Sequence, residues 1–433
     1  MTGTRAVAWY RRLVEEDAEG EAGHGGPEQV AANGLRLVVA GALQSAGDQV
    51  LNAKTVLPWL LYGLGAPAAL VGLLVPIRES GSMLPQAALT PWVVSRPRRA
   101  RVWMIGATGQ GVATLAIAAA AAFLDGLVGG VVVLVALAAF ALFRALCSMA
   151  AKDVQGRTVP KGQRGQITGL STAVSGVVAV AVGLALRAIG PDVPPEVLAW
   201  FLAGAALTWF LGVAAYAGIR EPAGSAGGPT NSSGWWADSW DLLARDAPFR
   251  RFVTVRALLL VSALSPPFLV TLSARTDHGL LSGLGAFVVA QGLASVIGGR
   301  VFGRLSDRSS RLVMIGGALA ASTVIVGVVL VVALADGAAA GWLLTVAYFV
   351  ISLIHVGVRV ARKTYVVDMA EGDQRTRYVA VANTAMGVIL LATGAVSAAI
   401  ATFGEVAALL FLAVLGLVGA SVGRTLPEVS GRG

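Results

Sequence analysis

Apolar residues run through this chain in long stretches separated by short polar punctuation. The stretches fall at 36–60, 69–94, 102–124, 127–150, 166–189 and 195–218, then at 250–273, 280–302, 312–335, 341–361, 377–402 and 404–423. Each approaches or exceeds the ~20 residues a helix needs to cross a bilayer's hydrocarbon core. The pattern predicts twelve membrane-spanning helices in two groups of six. Between the groups, residues 220–248 are first rich in Gly, Ser, Pro and Asn. They then become amphipathic, with Trp235, Trp236, Trp240, Leu242 and Leu243, which predicts a linker followed by a helix lying at the interface. The expected layout is a tail at 1–34, a six-helix bundle at 35–218 and the linker at 219–248. A second six-helix bundle at 249–423 and a tail at 424–433 complete it.

Composition narrows the class. Of 433 residues 56% are hydrophobic and 13% charged, against about 45–50% and about 25% in a soluble domain. That excludes a soluble globular enzyme, a disordered chain and a disulfide scaffold, and leaves an all-α polytopic membrane protein. The net charge of +9 does not indicate a nucleic-acid partner. The first 34 residues are acidic on balance, and the basic residues fall in short loops between apolar runs. The segment at 5–14 mixes arginines with Trp9 and Tyr10 and suits an inner membrane surface. Cys147 is the single cysteine, so no intramolecular disulfide or cysteine metal cluster is expected. No phosphate-binding loop, metal-ligand spacing or nucleophile triad occurs, so neither a cofactor nor catalysis is expected.

The loops also set orientation. Arg96, Arg98, Arg99 and Arg101 join spans 2 and 3, and Lys152, Arg157, Lys161 and Arg164 join spans 4 and 5. Arg300, Arg304, Arg308 and Arg311 join spans 8 and 9, and Arg362, Lys363, Arg375 and Arg377 join spans 10 and 11. The opposite loops hold little more than Arg187 and Arg275. Positive-inside bias therefore predicts both termini and the linker in the cytoplasm, with the spans in the plasma membrane.

The two halves resemble each other at an offset of about 210 residues. Arg98, Arg101, Met104, Ile105 and Gly106 align with Arg308, Arg311, Met314, Ile315 and Gly316. One residue of slip later, Lys152, Arg164 and Gly176 align with Lys363, Arg375 and Gly387. Such parallel similarity is what duplication of a six-span unit leaves. Projecting spans 7 and 8 back by the offset places spans 1 and 2 near 40–63 and 69–92, with Asp48, Arg78 and Glu79 near mid-depth.

The most specific local sequence runs from Gly303 through Arg304, Leu305, Ser306, Asp307, Arg308, Ser309 and Ser310 to Arg311. It resembles the cytoplasmic loop signature of the major facilitator superfamily at Gly303, Leu305, Asp307, Arg308 and Arg311, with Ser306 and Ser310 in place of the usual Ala and Gly. The resemblance implies a fold of twelve helices in two pseudo-symmetric six-helix bundles. It also implies that this loop latches the cytoplasmic side shut when the transporter faces outward. The first-half copy departs from the pattern, with Pro97 where the aspartate belongs, which argues against two symmetric latches.

Ionisable groups inside a membrane are costly and mark function or pairing. Asp48, Arg78 and Glu79 share one depth. Two carboxylates facing one arginine would leave one able to take up and release a proton, so Asp48 or Glu79 is expected to couple transport to protons. A static salt bridge between spans 1 and 2 is the alternative. Arg144 and His355 are related by the repeat and Arg359 lies one turn from His355; together they would line a cavity suited to an anionic solute or a carboxylate. Gln44, one turn before Asp48, is the expected polar cavity residue in span 1, with Gln291 and Asn383 in the second half.

The expectation is thus a monomeric secondary transporter of a small organic solute, proton-coupled, working by rocker-switch alternating access, with efflux the expected direction. A non-transporting membrane receptor or assembly factor of the same architecture is the rival reading.

Overall fold

The computed structural model describes residues 10, 26–160, 163–190, 192–222, 235–275, 283–334, 338–369 and 373–429. Most of the N-terminal tail, including all of its expected surface segment at 5–14 except Tyr10, and the first part of the linker lie outside the described residues. Tyr10 itself is buried, its ring against Gly34 of the first helix. Within the described residues every regular element is a helix. Span 1 is made of α1 (Pro27–Val50) and α2 (Val56–Gly63), and span 2 of α3 (Ala68–Met83) and α4 (Pro85–Val94). Then come α5 (Arg99–Phe123), α6 (Gly126–Thr158), α7 (Gln163–Ile189) and α8 (Pro195–Ala217). After the amphipathic α9 (Trp235–Arg245), span 7 is built in three pieces, α10 (Ala247–Leu258), α11 (Val261–Leu264) and α12 (Pro266–Arg275). The rest is α13 (Leu284–Leu334), which covers two apolar runs, then α14 (Ala338–Asp368), α15 (Asp373–Ala401) and α16 (Glu405–Gly423). Eight helical stretches of the described residues are long and apolar enough to cross a membrane.

Polar chemistry decides where the helices break. Span 1 opens at 51–55, where the Asn52 side chain accepts the backbone N–H of Lys54 at 2.8 Å and holds a turn. Pro85 starts α4, and Pro266 and Pro267 start α12; proline lacks the N–H that a first turn leaves unsatisfied. The predicted loop at 303–311 is instead helical and broken at a single residue. Ser309 is extended (φ −160°, ψ 98°), and its hydroxyl accepts the N–H of Leu312 at 3.1 Å, capping the next span. The expected N-terminal tail boundary at residue 34 also moves. Helix α1 begins at Pro27, with Glu28 favourably placed in its first turn.

Packing runs inside out. Phe123 (83% exposed), Trp200 (80%) and Leu334 (86%) point outward, while the buried interior holds Trp103 stacked on Tyr216 at 3.9 Å and Thr114, Ser322 and Gln110 bonded to neighbours. That distribution suits a hydrocarbon surround. The two halves meet along α3 with α15 and along α7 with α13. Glycine allows both approaches. A Cβ on Gly72 would fall 2.8 Å from the Cα of Ala398, one on Gly285 would fall 2.5 Å from the Gly183 carbonyl, and one on Gly394 would overlap Pro76. These contacts lie at mid-depth and toward the side away from the chain's ends, where α2 also packs on α12.

Each half closes its terminal side with a carboxylate. Glu221, just after α8, accepts the N–H groups of Arg99 and Ala100 at 3.1 and 2.9 Å, neutralising the start of α5, and pairs with Arg157 at 3.2 Å. Asp153 joins it, bonding Arg99 at 2.9 Å and Arg157 at 3.2 Å. In the second half Glu428, just after α16, accepts the Ser309 hydroxyl and lies 3.5 Å from Arg311, whose guanidinium also donates to the Leu426 carbonyl at 2.9 Å. Tyr365 donates to the Pro427 carbonyl at 2.9 Å; burial pushes its hydroxyl up to about 12, so the donor persists at physiological pH. Glu221 and Glu428, expected in the linker and the tail, are therefore parts of the bundles.

Candidate functional site

Where the halves meet, residues of both line a partly open cavity of about 360 Å³. The first half lines it with Asp48 at the end of α1, Asn52 and Lys54 in the break, Arg78 and Glu79 on α3, and Gly176 on α7. The second half supplies Gln291 and Ser295 on α13 and His355 and Arg359 on α14. A smaller adjoining space of about 60 Å³ adds Arg256 on α10 and Arg362 on α14 to Lys54, Glu79, His355 and Arg359. The break in span 1 brings Lys54 into this space.

Asp48 holds two arginines. One carboxylate oxygen is 3.0 Å from Arg78 Nη2 and the other is 2.5 Å from Arg144 Nη1. The guanidinium of Arg78 also covers the Phe140 ring, 4.9 Å from its centroid. The expected arrangement of two carboxylates on one arginine is thus replaced by two arginines on one carboxylate. Glu79 lines the same cavity but does not reach Asp48's partners, and forms no ion pair within 4 Å among the described residues. Its charge is felt mainly by Arg78, Lys54, Arg362 and Arg359. Spacing explains the division: adjacent positions on a helix project about 100° apart, so Arg78 and Glu79 cannot both face Asp48.

The remaining expected residues separate. His355 and Arg359 line the cavity, with Nδ1 of His355 at 3.4 Å from the Ser262 hydroxyl. Arg144 is drawn to Asp48 instead of joining them. Gln291 lines the cavity with its carbonyl oxygen occupied, accepting from Tyr348 at 2.9 Å and Ser352 at 3.3 Å, while its amide nitrogen lies 3.4 Å from the Ser295 hydroxyl. Asn383 accepts from Arg256 at 3.2 Å and is not part of the lining. Gln44 sits beside the buried Cys147, outside the cavity lining. Cys147 bonds the Trp103 carbonyl at 3.3 Å and receives Gln110 at 3.1 Å. Of the latch residues, Gly303 and Leu305 lie in α13, Leu305 partly exposed, and Arg308 is exposed beside the Ser309 break; the Asp307 side chain lies outside the described residues. Arg311 bonds the C-terminal segment.

Solved structures share this architecture. A POT family transporter in complex with a thioalcohol-conjugated peptide matches with a TM-score of 0.70 and 11% identity, covering 90% of this chain and 94% of that one. A D-xylose-proton symporter matches at 0.68 and 13%, covering 93% and 99%, and a mutant of the nucleoside transporter NupG at 0.68 and 13%, covering 91% and 99%. The chain has the major facilitator fold. No family model matches it, and no curated protein matches it in sequence.

The major facilitator fold puts Asp48, Arg78 and Glu79 in the first bundle and His355 and Arg359 in the second, so the cavity belongs to neither half alone. Among the residues of this site that escaped the sequence reading are Lys54 and Arg362. Lys54 was hidden in an apolar run, although the polar cluster of Asp48, Gln49, Asn52 and Lys54 marks the interruption. Arg362 reads as a loop charge because it precedes Lys363, yet α14 continues to Asp368 and carries Arg362 alongside the cavity.

Proposed function

We propose that the chain is a proton-coupled secondary transporter of a small organic solute in the plasma membrane, with both termini cytoplasmic, working by alternating access. One observation carries this reading: a polar, charged cavity lies at mid-depth on the seam between two pseudo-symmetric bundles and is lined by both. A site so placed is exposed to either face as the bundles rock about the glycine seam. The solved neighbours, among them a D-xylose-proton symporter, support solute transport of this kind.

Glu79 is the proposed proton acceptor. It lies between Arg78 and Lys54 of the first half and Arg359 and Arg362 of the second. A proton on Glu79 removes its attraction for all four, which changes what holds the bundles together at that depth. Asp48, fixed by two guanidiniums, serves in this scheme as the structural partner.

The test is flux into proteoliposomes under an imposed pH gradient, with the gradient applied in each direction to read import or export. Solute accumulation should follow the gradient and collapse to passive exchange in Glu79→Gln. Flux indifferent to the gradient, or unchanged in both Asp48→Asn and Glu79→Gln, overturns proton coupling. Pro97, standing where the signature aspartate belongs, favours a second reading, a receptor of the same fold; solute binding without any flux supports it.

A further inference from the structure

The charges around the cavity do not balance. Among the described residues six cationic side chains (Lys54, Arg78, Arg144, Arg256, Arg359 and Arg362) meet only two carboxylates, Asp48 and Glu79, leaving four positive charges over. Asp48 is fully engaged by Arg78 and Arg144. Arg256 has only the neutral carbonyl of Asn383, and its Nε has no hydrogen-bond partner. Lys54, Arg359 and Arg362 then surround Glu79 alone, and the Nε of Arg362 is likewise without a partner. An uncompensated cation at mid-depth in a membrane is costly, so a cluster of this kind is kept for a ligand or an ion path.

Taking the transport reading of this cavity as given, we propose that its solute is a small organic dianion, held between Lys54 of the first bundle and Arg359 and Arg362 of the second. Two charges follow from the local count, since three cations share one carboxylate. A cation would add to the imbalance and a neutral solute would leave it. The uncharged lining agrees. Tyr348 and Ser352 both donate to the carbonyl oxygen of Gln291, which turns its amide N–H groups toward Ser295 and the cavity. That presents donors where an anion needs them. Because Lys54 and the two arginines come from opposite bundles, the dianion draws the halves together, which gives it a higher affinity for the closed form than the open one.

Binding to the purified full-length protein in nanodiscs at constant ionic strength tests this. The probes are dicarboxylates of two to six carbons and small phosphate monoesters, set against succinamide and glycerol as neutral counterparts. At least one dianion class should bind and raise the unfolding temperature, and comparison of the two classes tells carboxylate from phosphate. Lys54→Ala and Arg359→Ala should each weaken that binding about tenfold, while Lys54→Arg, which keeps the charge, stays within about threefold. Absence of binding by every dianion, equal binding of the neutral counterparts, or wild-type affinity in both alanine variants overturns the proposal. Its failure is separable from failure of the transport reading. Dianion binding without flux under any gradient keeps the charge assignment and removes transport; gradient-driven flux of a neutral solute does the reverse.

Discussion

At the scale of single residues, Asp48 shows how pairing decides the role of a buried charge. It sits between Arg78 and Arg144 at 3.0 and 2.5 Å, with side-chain exposures of 17%, 15% and 27%. Removing one member of a buried ion cluster costs more than the cluster contributes, because the partners stay desolvated and now repel. Asp48→Asn should therefore destabilise the protein by about 3 kcal/mol, read as a fall in the midpoint of thermal unfolding. Adding Arg144→Leu should recover part of that loss; a double variant as unstable as the sum of the two singles would show that Asp48 and Arg144 do not interact. Glu79 makes no ion pair within 4 Å among the described residues but is the one carboxylate facing Lys54, Arg359 and Arg362. Glu79→Gln should therefore lower the unfolding midpoint less than Asp48→Asn does while abolishing gradient-driven accumulation. Lys54 was the residue least visible in advance. Apolar counting absorbs one lysine in a 25-residue run, and only the break at 51–55 shows that it faces the cavity.

At the scale of elements, two devices can be separated by experiment. The first is the glycine seam. Gly394 of α15 rests on Pro76 of α3 with no room for a side chain, so Gly394→Leu must push the bundles apart there. The expected outcome is a folded, well-expressed protein without transport, in which spin labels on α3 and α15 lie farther apart than in the wild type. The second is the pair of carboxylate caps. The Glu221 side chain is 1% exposed and bonds two N–H groups and Arg157, whereas the Glu428 side chain is 33% exposed and its pairing with Arg311 is long. Glu221→Gln should cost about 2 kcal/mol. Glu428→Gln should cost less than about 1 kcal/mol, as partly solvated pairs do. Equal losses would show that exposure does not govern these caps. Neither glutamate was legible as structural, since each follows the last apolar residue of its bundle and reads as linker or tail. Hydrophobic pattern reports where one helix lies; it carries no information on which distant helix start a carboxylate will reach.

At the scale of the whole molecule, the apolar runs and the internal repeat anticipated most of the architecture. The repeat placed Asp48, Arg78 and Glu79 at one depth, and the cavity lies there. What it could not provide was rotation about each helix axis, which sends Arg144 to Asp48 and Glu79 toward Lys54 and Arg362. Orientation follows from the same reading. The asymmetry of Arg and Lys predicts that a cysteine introduced near residue 427 reacts with a membrane-impermeant maleimide only after cells are permeabilised. The single native cysteine is buried, which keeps background labelling low. Labelling in intact cells would reverse the assigned orientation.

The unbalanced cations have an electrical consequence. Moving one elementary charge through a full membrane potential of 100 mV involves about 2.3 kcal/mol. If the proposed rocking carries the four surplus charges across about a tenth of that field, they exchange about 1 kcal/mol with it, enough to shift a two-state balance roughly fivefold. On the proposed transport reading, an inside-negative potential would draw the solute-free protein toward the state that places its cavity deeper on the cytoplasmic side. A bound dianion cancels half of the surplus and weakens that response. Transient charge movements recorded on solid-supported membranes should accordingly be larger without solute than with it.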